Sequence, residues 1–422
     1  MKKIRVYITL VLVLIISGSV VGCASVPTVT ASAADLMDGV SSRNVNGRAA
    51  DDEFIGRMAD FSVELFKRSV TDKENSLISP VSVMLALAMT ANGADNETLL
   101  QMETLLGGEI PLGELNEYLY SYVNALPSRE KSKLNIANSV WFRDDPGLHV
   151  FSEFLQTNAD YYNAAVYKSA FDSQTLKEIN NWVKENTDGM IDGILTYILD
   201  TDMLYLINAV AFDAEWQSVY NEYNVRDGIF TNIHGNEKTV DFMHSTEYIY
   251  IEDDMATGFI KPYAGNLYSF AVLLPNEGIS VENYIESLTG EALINTIQNS
   301  SNETVYAALP KFEFNYDIGM NDILSELGMP DAFDKNEADF NKMAIFNDGF
   351  NDGRIYIDVV LHKTFISVHE LGTRAGAVTM VAMAGDGAPM DPKVVTLDRP
   401  FVFAIIDNLT NLPLFIGVLM DV

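Results

Sequence analysis

A chain of 422 residues with 48% hydrophobic content can bury a large core, which excludes a disordered polypeptide and leaves room for one large domain or two to three ordinary ones. Its 59 acidic side chains outnumber 27 basic ones, and the formal charge of -32 excludes nucleic acid and heparin-like polyanions as partners. A single cysteine excludes an internal disulfide.

The chain starts with Lys2, Lys3 and Arg5 and continues into an almost wholly apolar run, Val6 to Ile16, too short to read as a spanning helix. Residues 1–22 therefore read as a secretion signal. They end in Val20-Val21-Gly22-Cys23, which resembles the bacterial lipoprotein box where cleavage precedes a lipid-modified cysteine. Lipidation explains the lone Cys23 better than redox chemistry or catalysis; the alternative is a plain signal peptide with an incidental cysteine. A secreted, cell-surface lipoprotein, anchored on the extracellular face through Cys23, is the expectation. Ser, Thr, Ala, Asn and Gly dominate Ala24 to Ala50, so residues 23–50 read as the anchor point plus a flexible tether, and residues 51–422 as the folded body.

Within the body, Ile55, Met58, Phe61, Val63, Leu65 and Phe66 recur at helical spacing, predicting an amphipathic helix over Phe54 to Ser69. Ser79 can cap, and Pro80 can open, a second helix through Met89 that is apolar nearly all round and so belongs in the core. Asn138 to Phe142, Tyr205 to Phe212, Phe270 to Pro275, Val305 to Pro310 and Pro400 to Ile406 are short apolar, β-branched or aromatic runs that read as buried strands. Leu176 to Lys184 reads as a helix with Gly189 and Gly193 as terminators. Helices crowd the first half and strands the second, predicting an α+β fold.

Catalytic signatures are missing. There is no Gly-x-Ser-x-Gly elbow, phosphate loop or nucleotide fingerprint. His369-Glu370 begins like a zinc-protease helix, but Thr373 stands where the second His would be needed, so no metal site is expected. Asn347 to Gly353 lacks the spacing and closing Glu of a calcium loop and reads as a polar turn. No cofactor is expected, and a hydrolase is the weaker class.

Glu370 to Met390 leaves three readings open. An Ala-rich run capped by Thr373 can form an exposed helix, and the tail from Gly385 to Pro389, rich in Gly, Asp and Pro, can be plain surface loop. Taken every second residue, however, Thr373, Ala375, Ala377, Thr379, Val381 and Met383 present a small and then moderately apolar face, suited to a strand sliding into a sheet.

The runs line up with one family. Ser79-Pro80-x-Ser82 with Leu87-Ala88-Met89 and Gly93-Ala94, Asn181-Trp182-Val183 with Thr187 and Gly189, Leu206-Ile207-Asn208-Ala209 with Phe212 and Trp216, Leu309-Pro310-Lys311-Phe312, Ala338-Asp339-Phe340, and Arg399-Pro400-Phe401 through Gly417 occur in the order found in serpins. From about residue 51 to Val422 the chain resembles that family. The resemblance implies a serpin fold with three β-sheets, eight or nine helices and an exposed reactive-centre loop. It implies a hinge at Glu370, Gly372, Thr373, Ala375, Ala377 and Thr379, and a shutter of Ser79, Ser82, Asn208 and His362 beneath the sheet. No bulky or charged residue occupies an inserting position, which favours an inhibitor over a non-inhibitory, cell-surface binding member.

Such an inhibitor has no catalytic residue of its own. It is a monomer that offers a bond to a serine protease and then inserts Thr373 to Asp386, at most about 46 Å of extended chain, into its central sheet. The family's usual register puts the reactive bond at Asp386-Gly387, with Met383-Ala384 as the alternative because the loop is slightly longer than in well-known inhibitory members. Val381, Ala382, Met383 and Ala384 suit an elastase-like pocket, and the absence of Arg and Lys from Val378 to Pro392 disfavours trypsin-like targets. Asp-specific, subtilisin-like and papain-like enzymes follow.

Overall fold

In the computed structural model, which describes residues 32–71, 73–347, 352–373 and 391–422, Asp51 caps the first helix by accepting the Phe54 backbone N–H at 3.1 Å. That helix, Asp52–Ser69, carries Asp52 and Glu53 in its first turn and Lys67 and Arg68 in its last, matching the helix dipole at both ends. The second, Pro80–Ala91, is buried along its whole length, as its apolar circumference requires. Ser79 stands at its N-cap position, but the expected cap bond is not made. Asp172 instead supplies the full capping box, opening the Ser173–Asn186 helix. Gly189 stops that helix with φ +71 and a bond from its N–H to the Lys184 carbonyl at 2.8 Å, whereas Gly193 lies beyond the stop.

Nine α-helices and three sheets of seven, nine and three strands are present among the described residues, as expected for the α+β class. The seven-stranded sheet runs, in spatial order, Ala34–Asp35, Ala165–Ser169, Ser132–Arg143, Leu204–Glu215, Gly372–Thr373, Val359–His369 and Phe312–Gly319. The nine-stranded sheet contains the predicted strands Tyr268–Pro275, Ser301–Pro310 and Phe401–Asp407.

Leu204–Glu215 is buried on both faces, which its nearly unbroken apolar run requires. Tyr205, Ile207 and Ala209 pack with Trp141, Ile179 and Val183 under the Ser173–Asn186 helix. The alternate residues Leu206, Val210 and Phe212 join the main core, into which Pro80–Ala91 also packs. Asn208 falls on this second face, a lone amide among its strand's apolar residues.

The tether expectation needs correction over its described part. Residues 32–50 lie along the body: Ala34–Asp35 adds an antiparallel edge strand to Ala165–Ser169, and the Arg43 guanidinium donates twice to Asp160, from Nε at 2.9 Å and from Nη2 at 2.6 Å. The Ala33 N–H reaches Glu178 at 3.0 Å. Small polar composition here signals chain that hydrogen-bonds to a surface, which composition alone does not separate from free linker. Cys23 lies outside the described residues.

Candidate functional site

The central feature is a seam in the seven-stranded sheet. Leu204–Glu215 and Val359–His369 run parallel and pair directly only from Tyr205 to Ala209, opposite Val359 to Lys363. Above that, Gly372–Thr373 enters between them, antiparallel to both, with Thr373 opposite Ala214 on one side and Val368 on the other. Among the described residues, the two strands are thus parted beyond Ala209 and Lys363, with Gly372–Thr373 seated between their upper ends.

Gly372 is required by the tightness of this entry. A Cβ there would stand 2.0 Å from the Ala214 carbonyl oxygen and 2.8 Å from the Glu215 Cα, both backbone atoms that can shift only together with their strand. Thr373 is only 2% exposed, and its hydroxyl meets that of Tyr263 at 2.6 Å. Tyr263 stacks on Trp216 with ring centroids 4.6 Å apart, and the Trp216 indole donates to the His369 carbonyl at 2.8 Å. The Trp216 and Tyr220 backbone N–H groups hold the Leu371 and Glu370 carbonyls at 2.8 and 2.9 Å. Burial works against ionisation of Glu370, yet the Lys311 ammonium at 2.9 Å, with backbone and charge contributions, holds its carboxyl below the usual range.

Beneath the paired part of the seam, four residues far apart in sequence converge. The His362 ring accepts the Ser79 backbone N–H at Nε2, 3.0 Å away. Its proton must then sit on Nδ1, which donates to the Asn208 side-chain oxygen at 2.9 Å. The Asn208 amide nitrogen in turn donates to the Ser82 carbonyl at 2.8 Å, to the Ser82 hydroxyl and to Asn138. Complete burial keeps the imidazole neutral and pushes its pKa down to about 3. Ser79 takes part through its backbone, and its buried hydroxyl has no partner among the described residues.

The structure thus brings Ser79, Ser82, Asn208 and His362 into one cluster and places Glu370, Gly372 and Thr373 at the mouth of the seam. Ala375, Ala377, Thr379, Met383, Ala384, Asp386 and Gly387 lie outside the described residues. Sequence reasoning missed Asn138 and Tyr263. Asn138 lies directly opposite Asn208 across the sheet, but its strand also carries Asn135 and Ser139, so only its place just ahead of the apolar run Val140 to Phe142 was available as a signal. Tyr263 follows the Ala256–Pro262 strand with nothing in its surroundings to single it out. No group of His, Cys, Asp and Glu suited to a metal ion occurs among the described residues.

A family model described as Serpin (serine protease inhibitor) matches residues 57–422. The chain belongs to the serpin family. Serpins are generally serine protease inhibitors and mostly not catalysts. This serpin is 32% identical over 372 residues to a serpin-like protein of Thermococcus kodakarensis, covering 86% of this chain and 84% of that one. Among solved structures it is similar to tengpin, a thermophilic serpin, in its native state, with 55% identity, a TM-score of 0.89, and coverage of 93% of this chain and 100% of tengpin. The similarity to tengpin in its latent state, at 54% identity, is weaker, with a TM-score of 0.79 over 89% of this chain and all of that one. At nearly the same identity, the fold matches the native arrangement better.

Proposed function

We propose that this serpin inhibits elastase-like serine proteases by conformational trapping. The observation that carries the reading is the seating of Gly372–Thr373 between two strands that are paired over only part of their length. A strand that has begun to enter antiparallel to both neighbours can continue by the same hydrogen bonding, gaining a full ladder and burying apolar area. The native fold is then a kinetically trapped state. Tengpin, solved in both native and latent states, is a relative with two folded forms and supports this reading.

In the proposed reaction the protease serine attacks the carbonyl of Asp386, or of Met383 in the alternative register, and the amine of the following residue leaves with a proton. The ester left behind tethers the enzyme to residue 386. Insertion of Thr373 to Asp386 then outruns hydrolysis and drags the enzyme across the domain, distorting its oxyanion hole so that deacylation nearly stops. The inhibitor acts as a monomer, secreted and held to the cell surface through lipid on Cys23, without nucleic acid or heparin-like partners.

Mixing with pancreatic elastase tests this. A protease complex that survives detergent, together with greater heat resistance of the loop-cleaved protein, is expected; mass spectrometry of the released fragment identifies the severed bond. Clean cleavage with no complex and no gain in heat resistance overturns the reading. Fatty-acid labelling of cells tests the anchor, since a Cys23→Ser protein that still carried label would remove it.

A further inference from the structure

We propose that Asp358 is a latch on the lower end of the seam, opened only in the last stage of strand insertion; the proposal rests on the insertion reading above. Asp358 stands one residue ahead of the Val359–His369 strand. One oxygen of its carboxylate accepts the Met203 N–H at 2.7 Å and the Leu204 N–H at 2.9 Å, and its own N–H donates to the Leu204 carbonyl at 3.2 Å. A single residue just ahead of one seam strand therefore makes three bonds to the beginning of the other.

The latch is braced from its outer side. Asn321 donates to the Asp358 carbonyl at 2.8 Å and accepts the Val360 N–H at 2.9 Å, fixing the segment that carries the carboxylate. On the inner side, the carbonyl of Asp202 is held by the Arg143 Nε at 2.6 Å, and the Asp202 side chain takes the Tyr205 hydroxyl. Both strand ends are thereby held rigid where they meet.

These bonds differ in kind from the rungs above them. A rung between Tyr205 and Ala209 is a main-chain bond, and an incoming strand replaces it with equivalent main-chain bonds on each side. The two bonds to the Asp358 carboxylate are charge-assisted and go from side chain to main chain, so an incoming backbone does not reproduce them. Continuing the antiparallel register from Thr373 opposite Ala214 brings Met383 opposite Leu204. The entering chain consequently meets the latch only at its far end, after the upper rungs have exchanged.

Length dependence tests this in the intact protein. Two synthetic peptides with the loop sequence that follows the seated Thr373 are offered, one covering residues 374 to 384 and one stopping at residue 379, and uptake is followed by native gel shift. The Asp358→Ala protein should take up the long peptide at least tenfold faster than the wild type and the short one at an unchanged rate. Asn321→Ala, which loosens the brace without removing a bond across the seam, should alter the long-peptide rate far less than Asp358→Ala does. Equal acceleration of both peptides by Asp358→Ala would mean general loosening, and acceleration of neither would mean that the carboxylate does not limit insertion; either result overturns the latch. If the wild type takes up neither peptide on warming and gains no heat resistance when its loop is cleaved, insertion itself fails, and the latch with it.

Discussion

The hydroxyls of Thr373 and Tyr263 share one hydrogen bond of 2.6 Å inside the core, with Thr373 2% exposed and Tyr263 fully buried. The hinge is thus already committed to the sheet by a side chain as well as by main-chain pairing. Thr373→Arg places a long cation where only a small hydroxyl fits and removes the partner of a buried phenol. An unpaired buried charge costs several kcal/mol, more than the hinge gains by staying in, so the segment is expelled. The variant should still be cleaved by elastase but give no detergent-stable complex, and its stoichiometry of inhibition should rise at least tenfold. Complex formation at the wild-type stoichiometry would show that Thr373 does not need to enter.

Gly372→Ala tests the same entry by steric means. Its Cβ would stand 2.0 Å from the Ala214 carbonyl oxygen, so either the hinge or the Leu204–Glu215 strand must move. Overpacking of this kind costs about 1–3 kcal/mol. Limited proteolysis should detect new cutting between Glu370 and Ala375, together with a lower melting temperature of the native form. Identical digestion patterns and melting would show that the backbone absorbs a methyl group here without cost.

Much of the fold was legible because apolar runs carry it. The helix at Pro80–Ala91 and the strand at Leu204–Glu215 are marked by continuous hydrophobicity, and within the folded body such a run has to be buried on all sides. The His362 cluster was visible through the resemblance and not through spacing, since its members approach from positions as distant as Ser79 and His362. Ser79, expected to cap the Pro80–Ala91 helix with its hydroxyl, makes no such cap and instead joins the cluster through its N–H, which donates to the ring Nε2. The docking of residues 32–50 was hidden for a different reason: its bonds join main-chain groups and the guanidinium groups of Arg43 and Arg48 to partners such as Asp160 and Glu114, and no periodicity announces that kind of contact.

Arg43→Ala follows from that docking. Asp160 is buried, and it accepts the Arg43 N–H at 2.6 Å in addition to the guanidinium bonds. Burial alone would raise its carboxyl, but the Arg43 and Gln156 bonds hold it below the usual range. Its stabilising contribution is therefore present above the ordinary carboxylate pKa of 3.8 and is lost as the pH falls through the depressed value. Without the guanidinium, the carboxylate keeps the Gln156 amide and the backbone N–H of residue 43, and stability at neutral pH should fall, seen as a lower midpoint of the first transition in urea. Hydrogen exchange should rise in Ala34–Asp35 and its partner strand Ala165–Ser169. Unchanged exchange and urea midpoint would leave the edge strand independent of the ion pair.

His362 gives the sharpest dependence on pH. Burial lowers its pKa from 6.5 to about 3, so the native protein keeps a neutral ring while an opened chain takes up a proton. Stability from this group is complete above pH 6.5 and is lost progressively as the pH falls from there toward 3. The slope is about 1.4 kcal/mol per pH unit, so moving from neutrality to pH 5 should cost on the order of 2 kcal/mol. His362→Ala removes that slope, but it also leaves the Ser79 N–H and the Asn208 side-chain oxygen without the ring they now share, a loss of about 1–3 kcal/mol at neutral pH. The variant should therefore melt earlier than the wild type at neutral pH and polymerise on mild heating, while the gap between them narrows in acid. Melting curves at both pH values, read beside monomer content on size exclusion, decide the matter: unchanged melting and monomer content at neutral pH, or a gap that does not narrow in acid, would remove His362 as the bond that keeps the strands together.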